Sequence, residues 1–227
     1  LCIGKFIKRK NHLTLIKALS LIDLEIRKKI SLTIIGELSN PDHHKNLKEL
    51  KKTMDKSDLK IKVLTNIDPK NISRYYKTSD CFVLPSTNEP ASVSNLEAMA
   101  FGLPVITSDT NQTSCYTEQG VNGYITKSNN VVDLAKKIKL LAINKSKTKK
   151  FGSNSLKLIK TKYNPDIVYK EFFTRFPEYV HFYNHGFVAP FSISSTHYYS
   201  NHFILGRLCY TLRACPCFNI SFIKCAN

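Results

Sequence analysis

No uncharged apolar run in these 227 residues approaches the roughly 18 that a membrane span needs, so no segment reads as a transmembrane helix. Acidic residues are scarce: 17 Asp+Glu stand against 34 Lys+Arg, for a formal charge of +17 and a pI near 9.6. That excess invites a nucleic-acid partner. However, the lysines of 46–52 and 133–141 alternate with apolar positions at helical spacing, the pattern of an ordinary solvated helix face. No RNP-type aromatic motif, helix-turn-helix signature or zinc finger accompanies them, and nucleic acid is set aside as a partner. An anionic membrane surface and a phosphate-bearing ligand stay open. The first residue is Leu1 rather than Met, and Leu1-Cys2-Ile3-Gly4 reads as the end of a strand, so the chain is expected to be a piece of something longer. A signal peptide needs a charged start followed by an apolar block, and here the order is reversed.

What is present is a globular composition, 42% hydrophobic and 22% charged, with enough length to bury a real core. Of seven cysteines, Cys2, Cys81 and Cys115 are scattered and read as small core residues of a reducing compartment. Cys209, Cys215, Cys217 and Cys225 crowd the C-terminus with His197 and His202 upstream. Cys215-Pro216-Cys217 leaves one residue between ligands where structural zinc sites leave two to four, so no metal is expected.

Residues 1–176 alternate short β-branched runs with amphipathic helices. Strands are expected at 1–4, 31–36, 60–64, 80–84, 104–107 and 123–126, and helices at 11–22, 42–58, 69–78, 91–101, 130–143, 145–162 and 166–176. Ser31-Leu32-Thr33-Ile34-Ile35-Gly36 is continuously apolar in its middle, as in a parallel strand buried on both faces. Gly102 suits the residue just past a helix, where positive φ costs glycine nothing. This order predicts an α/β fold, a Rossmann-like doubly wound parallel sheet. After Phe176 the texture changes. Residues 177–227 hold one acidic residue, Glu178, among many Tyr, Phe, His and Cys, with no sustained period. They read as an irregular tail: an extension, an interaction surface, or, the favoured reading, translation past the natural end of the frame.

The chemistry concentrates in Ser86-Thr87-Asn88-Glu89-Pro90-Ala91-Ser92-Val93-Ser94-Asn95-Leu96-Glu97-Ala98-Met99-Ala100-Phe101-Gly102-Leu103-Pro104-Val105. Ligands of open α/β sheets sit beyond the carboxyl ends of strands, which places Glu89 on the binding edge. The N–H groups that open the next helix, near Ser92 and Val93, favour a phosphate. Glu97 lies roughly 7–9 Å further along the helix axis. Two carboxylates flanking an anion site suit a ligand with phosphate in its middle and hydroxyls at both ends, which is the layout of a nucleotide-diphosphate sugar.

The stretch resembles the Glu-x7-Glu motif of the group 1 glycosyltransferases of GT-B fold, with Glu97 to Val105 similar almost letter for letter. Gly4-Lys5-Phe6 with Lys10 resembles that family's diphosphate-binding segment, and Asn122-Gly123-Tyr124 its turn before the closing helices. The resemblance implies that residues 1–176 form the donor-binding domain and that the acceptor-binding N-terminal domain is absent from this chain. It implies that Glu89 meets the donor sugar, and that Glu97 takes the ribose hydroxyls. Lys5 and Lys10 would neutralise the leaving diphosphate at the end of Gly4's strand, helped by N–H groups near Ser92 and Val93. It implies transfer with retention, without a metal or other cofactor, from a nucleoside-diphosphate sugar to a polysaccharide or lipid-linked acceptor. The location would be cytoplasmic, at the inner membrane face, and this fragment alone would be inactive. Three positions depart from the family pattern. Pro90-Ala91-Ser92 replaces Gly-Phe-Gly and removes an N–H donor. Lys5 stands where arginine is frequent, and Gln112 where glycine is.

Plainer readings stand beside these. Ser94-Asn95-Leu96-Glu97 matches a capping box, which would make Glu97 a helix cap. Glu89, Lys5 and Lys10, each taken alone, would be solvated surface charges. His12, His43 and His44 are expected to face solvent. A non-catalytic nucleotide-sugar-binding module would share these features, and a basic nucleic-acid-binding protein is the more distant alternative.

Overall fold

The computed structural model describes residues 1–90, 92–164, 167 and 174. The chain divides into two compact units, Leu1–Lys157 and Leu158–Asn227. The expected helix at 166–176, the domain boundary at 176, the aromatic tail and its four cysteines lie outside the described residues.

The first unit is built on six parallel strands, β1 (Cys2–Ile3), β2 (Ser31–Gly36), β3 (Lys60–Thr65), β4 (Phe82–Leu84), β5 (Val105–Ser108) and β6 (Gly123–Thr126). They pair as β1-β2-β3 and β4-β5-β6. Beside β1 runs β4: Leu1 N–H donates to Cys81 O at 2.9 Å, and Leu1 O accepts from Val83 N–H at 2.9 Å. One residue bonded to partners two apart is the parallel ladder pattern. The strand order is therefore 3-2-1-4-5-6, and the order of connection reverses between β1 and β4. The doubly wound α/β expectation is borne out.

The strands are buried where the sequence is continuously apolar: Ile34 and Ile35 on β2, Phe82 to Leu84 on β4, Val105 and Ile106 on β5. Helices α1 (His12–Ser20), α3 (Pro41–Met54) and α6 (Val131–Ile143) supply one core cluster. There Leu15, Ile16, Leu19, Leu47, Leu50, Leu134 and Ile138 meet Val83, Ile106 and Tyr124. Asn40 caps α3 by accepting from His43 N–H at 3.0 Å, with Pro41 at its first position. Phe82 and Phe101 pack instead on Tyr76, from the short α4 (Ser73–Lys77). Helix α5 (Val93–Ala100) ends at Phe101, and Gly102 follows at φ +73°. Gly102 O lies against Gly152 of α7 (Lys145–Thr161).

Two histidine expectations are corrected. His12 and His43 are buried, 6% and 3% exposed, whereas His44 is exposed. The Phe6 ring folds back over Gly36, where a Cβ would lie 2.4 Å from it, and roofs His12 at a ring separation of 5.5 Å. His43 is drawn in by the α3 cap, its Nδ1 accepting from Ser39 N–H at 3.2 Å. The four-residue α2 (Leu24–Arg27) is too short to leave a periodic signal in sequence.

Candidate active site

The reversal between β1 and β4 brings two loops together. After β1, the chain passes Gly4 into a 3-10 turn, Lys8–Lys10, which ends at Asn11 with φ 56°. Asparagine tolerates that left-handed conformation, and its side chain secures it. Asn11 Nδ2 donates to Pro85 O at 3.2 Å, and Oδ1 accepts from Thr14 Oγ1 at 2.6 Å. After β4 the chain runs through Thr87 and Asn88 (φ 53°) to Glu89. Thr87 N–H donates to Arg9 O at 2.8 Å, which fastens one loop to the other.

Glu89 is 5% exposed. Its Oε2 lies 2.6 Å from Lys10 Nζ and 2.9 Å from Arg9 Nη1. A carboxylate is removed from water here only because two cations meet it. The backbone is held as well: Glu89 N–H donates to Asn111 Oδ1 at 2.9 Å, and Glu89 O accepts from Gln112 N–H at 2.9 Å. The loop after β5 thus clamps the residue in place. A Cβ on Gly4 would lie 2.9 Å from Lys10 Cδ, so Gly4 is the space across which the lysine stem reaches Glu89.

Lys5 goes elsewhere. Its Nζ lies 3.2 Å from Glu37 Oε2, just past β2, with both side chains about half exposed. Hydrogen bonds from Ser39 and then from Lys5 hold the Glu37 carboxyl below its ordinary value.

Glu97 lies in the second turn of α5. Its Oε2 accepts from Tyr76 Oη at 2.6 Å. Burial, then the Glu97 charge, push the Tyr76 phenol well above its usual range, so it remains a donor. The capping-box geometry is not formed: the N-cap is Ser92 and Ser94 is already helical. Ser92 is buried, and its Oγ lies 2.8 Å from Ser94 Oγ. Val93 is the first helical residue; Asn95 and Leu96 N–H already donate to Ser92 O, at 3.2 and 3.5 Å, so Val93 and Ser94 carry the first-turn N–H groups that lack an acceptor within the helix.

Glu89, Lys10 and Gly4 are thus brought together at the end of β1, Ser92, Val93 and Glu97 share α5, and Lys5 is paired outside both groups. Three residues of this region were not singled out from sequence. Arg9 lies in a run of cations that looks like a solvated patch. Asn111 lies in a loop noted only for its place after β5. Tyr76 lies in a short helix, where a buried aromatic reads as core. Asn111 Nδ2 and Ser86 Oγ are buried and meet no partner among the described residues. Beside the site, burial and then the Lys10 charge lower the His12 pKa to about 4, so this imidazole is neutral. Among the described residues no three His, Cys, Asp or Glu side chains gather into a metal-holding group, and no helix is long and apolar enough to cross a membrane.

The chain is similar to proteins of known family over most of this unit. The family model described as glycosyl transferases group 1 matches residues 1–158. The capsular polysaccharide biosynthesis glycosyltransferase CapM of Staphylococcus aureus is 26% identical over 169 residues, 74% of this chain and 43% of CapM. The chain spans less than half the length of the curated relatives it matches. Among solved structures, Anabaena HepE in complex with UDP superposes with a TM-score of 0.68 at 19% identity, over 78% of this chain and 48% of HepE. The C-terminal domain of LpcC, a group 1 family glycosyl transferase of Francisella tularensis, superposes with a TM-score of 0.66 at 26% identity. That match covers 72% of this chain and 85% of the LpcC domain.

Proposed function

The chain belongs to the group 1 glycosyl transferases, and we propose that it is the part of such an enzyme that binds a nucleoside-diphosphate sugar. The observation that carries this reading is the meeting of Lys10 and Glu89 across the β1–β4 reversal, with Glu97 in the helix that follows. A cation at the end of β1 and the leading N–H groups of α5, those of Val93 and Ser94, suit a diphosphate. In this reading Glu89 takes the hydroxyls of the transferred sugar, and Glu97 those of the ribose. Tyr76 Oη, donating to Glu97 Oε2 at 2.6 Å, orients that carboxylate.

In the reaction we propose, the sugar's anomeric carbon parts from the diphosphate. The negative charge that develops on the leaving oxygen is met by Lys10 and the N–H groups near Ser92 and Val93, while Lys5, expected there from sequence, is paired with Glu37 instead. Transfer proceeds with retention and without a metal, to a polysaccharide or lipid-linked acceptor. Alone, the chain binds the donor and does not turn it over. Placement at the inner membrane face would draw on Lys145, Lys147, Lys149 and Lys150 of α7, a helix start with no acidic residue in its first turn. Equal sedimentation with neutral and anionic vesicles would rule that placement out.

Calorimetric titration of the full chain with UDP-, GDP- and ADP-glucose tests the donor reading. Binding of one of them, lost in Glu89→Ala, is expected. Absence of heat with all three, from protein shown to be folded, contradicts the reading. Single-stranded DNA binding that persists in Glu89→Ala would instead favour a nucleic-acid role.

A further inference from the structure

We propose that Arg9 is a diphosphate-binding residue of the donor site, sharing with Lys10 the role that Lys5 would otherwise fill. The inference rests on the donor reading above and names a residue within that site.

Charge balance is the first argument. Arg9 and Lys10 converge on one oxygen of Glu89, at 2.9 and 2.6 Å, so one carboxylate faces two cations and one positive charge is left over. Lys5 is answered by Glu37, at 3.2 Å on the far side of β1. The uncompensated charge at the β1–β4 reversal therefore lies with Arg9 and Lys10, and an anion is what completes it.

Geometry is the second argument. Among the described residues only Nη1 of Arg9 is engaged, donating to Glu89 Oε2 and, at 3.4 Å, to Asn88 O. A guanidinium has five N–H donors in a fixed plane, so Nη2 and Nε, without an acceptor among the described residues, can donate to a ligand. The Arg9 side chain is 38% exposed where Glu89 is 7%, so the fork lies on the open side of the pair and the carboxylate behind it. That fork suits two phosphate oxygens in a way a lysine ammonium does not. The position is also fixed, because Arg9 O accepts from Thr87 N–H at 2.8 Å and locks the 3-10 turn onto the β4 loop.

The test is a titration of the full chain with UDP, GDP and ADP, and with uridine, guanosine and adenosine, comparing wild type with Arg9→Gln, Arg9→Lys and Lys5→Gln. Lys149→Gln, at an exposed position of α7, serves as an equal-charge control, and thermal melting confirms each fold. The expected result is that Arg9→Gln weakens the bound diphosphate by about ten- to a hundred-fold, the loss of one charged hydrogen-bonding group. Affinity for the matching nucleoside should be unmoved, Arg9→Lys should fall between, and Lys149→Gln should match wild type. Diphosphate affinity unchanged in Arg9→Gln, an equal loss for the nucleoside, or a larger loss in Lys5→Gln than in Arg9→Gln would each overturn the inference. If wild type binds no diphosphate, the donor reading fails and this inference falls with it. Binding by wild type with no effect of Arg9→Gln removes the inference alone.

Discussion

Lys10 Nζ lies 2.6 Å from Glu89 Oε2, and the two side chains, 11% and 7% exposed, join loops 79 residues apart in sequence. Truncating the lysine would leave a buried carboxylate with Arg9 as its remaining cation. Breaking a fully buried pair costs about 3–5 kcal/mol, and the second cation reduces that. Lys10→Met is expected to lower stability by about 2–3 kcal/mol in urea unfolding at pH 7. No change in the midpoint would show that the pair carries no folding energy.

Tyr76 is 1% exposed and spends its hydroxyl on Glu97 and, at 3.3 Å, on Ser94 O. Tyr76→Phe keeps the stacking on Phe101 at 5.2 Å and removes only the oxygen. It should cost about 1–2 kcal/mol of stability. It should also weaken nucleotide binding several-fold, because Glu97 loses its orientation. Calorimetry reads the second effect, and full retention of affinity would make Tyr76 a core residue and nothing more.

His12 gives the unit a pH dependence with a definite sign. Its folded pKa is lowered from 6.5 to about 4, mainly by burial. Between those values the unfolded chain binds a proton that the folded chain does not, so stability falls as pH drops through 6.5 and levels off near 4. The size is about 3 kcal/mol at most. Urea midpoints from pH 7.5 to 4.5 should decline, and His12→Gln should flatten that decline. An equal slope in the variant would assign it to other groups.

Gly152 offers a contrary test of helix propensity. Alanine in a helix interior is favoured over glycine by about 1 kcal/mol. Here a Cβ would lie 2.1 Å from Gly102 O, a backbone atom that cannot swing away. Gly152→Ala is therefore expected to destabilise, by about 1–3 kcal/mol in thermal unfolding. A raised melting temperature would mean that α7 does not approach Gly102 this closely.

Strands β2, β4 and β5 were legible in sequence because parallel strands buried on both faces are continuous apolar runs. Ile34, Ile35 and Phe82 to Leu84 lie in the expected strands, and Gly102 lies just past α5 as its sequence position indicated. The order 3-2-1-4-5-6 brought Lys10 and Glu89 to one edge, as a fold-level argument can anticipate. Pairing between loops was less legible. Lys5 turns to Glu37 because β1 and β2 are neighbours whose ends lie side by side, a fact that local pattern does not carry. His12 faces inward because Phe6 folds over Gly36, a tertiary event behind an ordinary polar letter. Arg9 was hidden in a run of three cations, of which two point at one buried carboxylate.

The most direct test of the donor site asks whether Glu97 reads the ribose. UDP and 2′-deoxy-UDP differ by one hydroxyl, and titrating both against wild type and Glu97→Ala closes a double cycle on that contact. Wild type should favour UDP by about tenfold, and the preference should vanish in Glu97→Ala while Tyr76 and α5 stay folded. A preference of the same size in both proteins would mean that Glu97 does not touch the ribose, and the proposed site would be wrong.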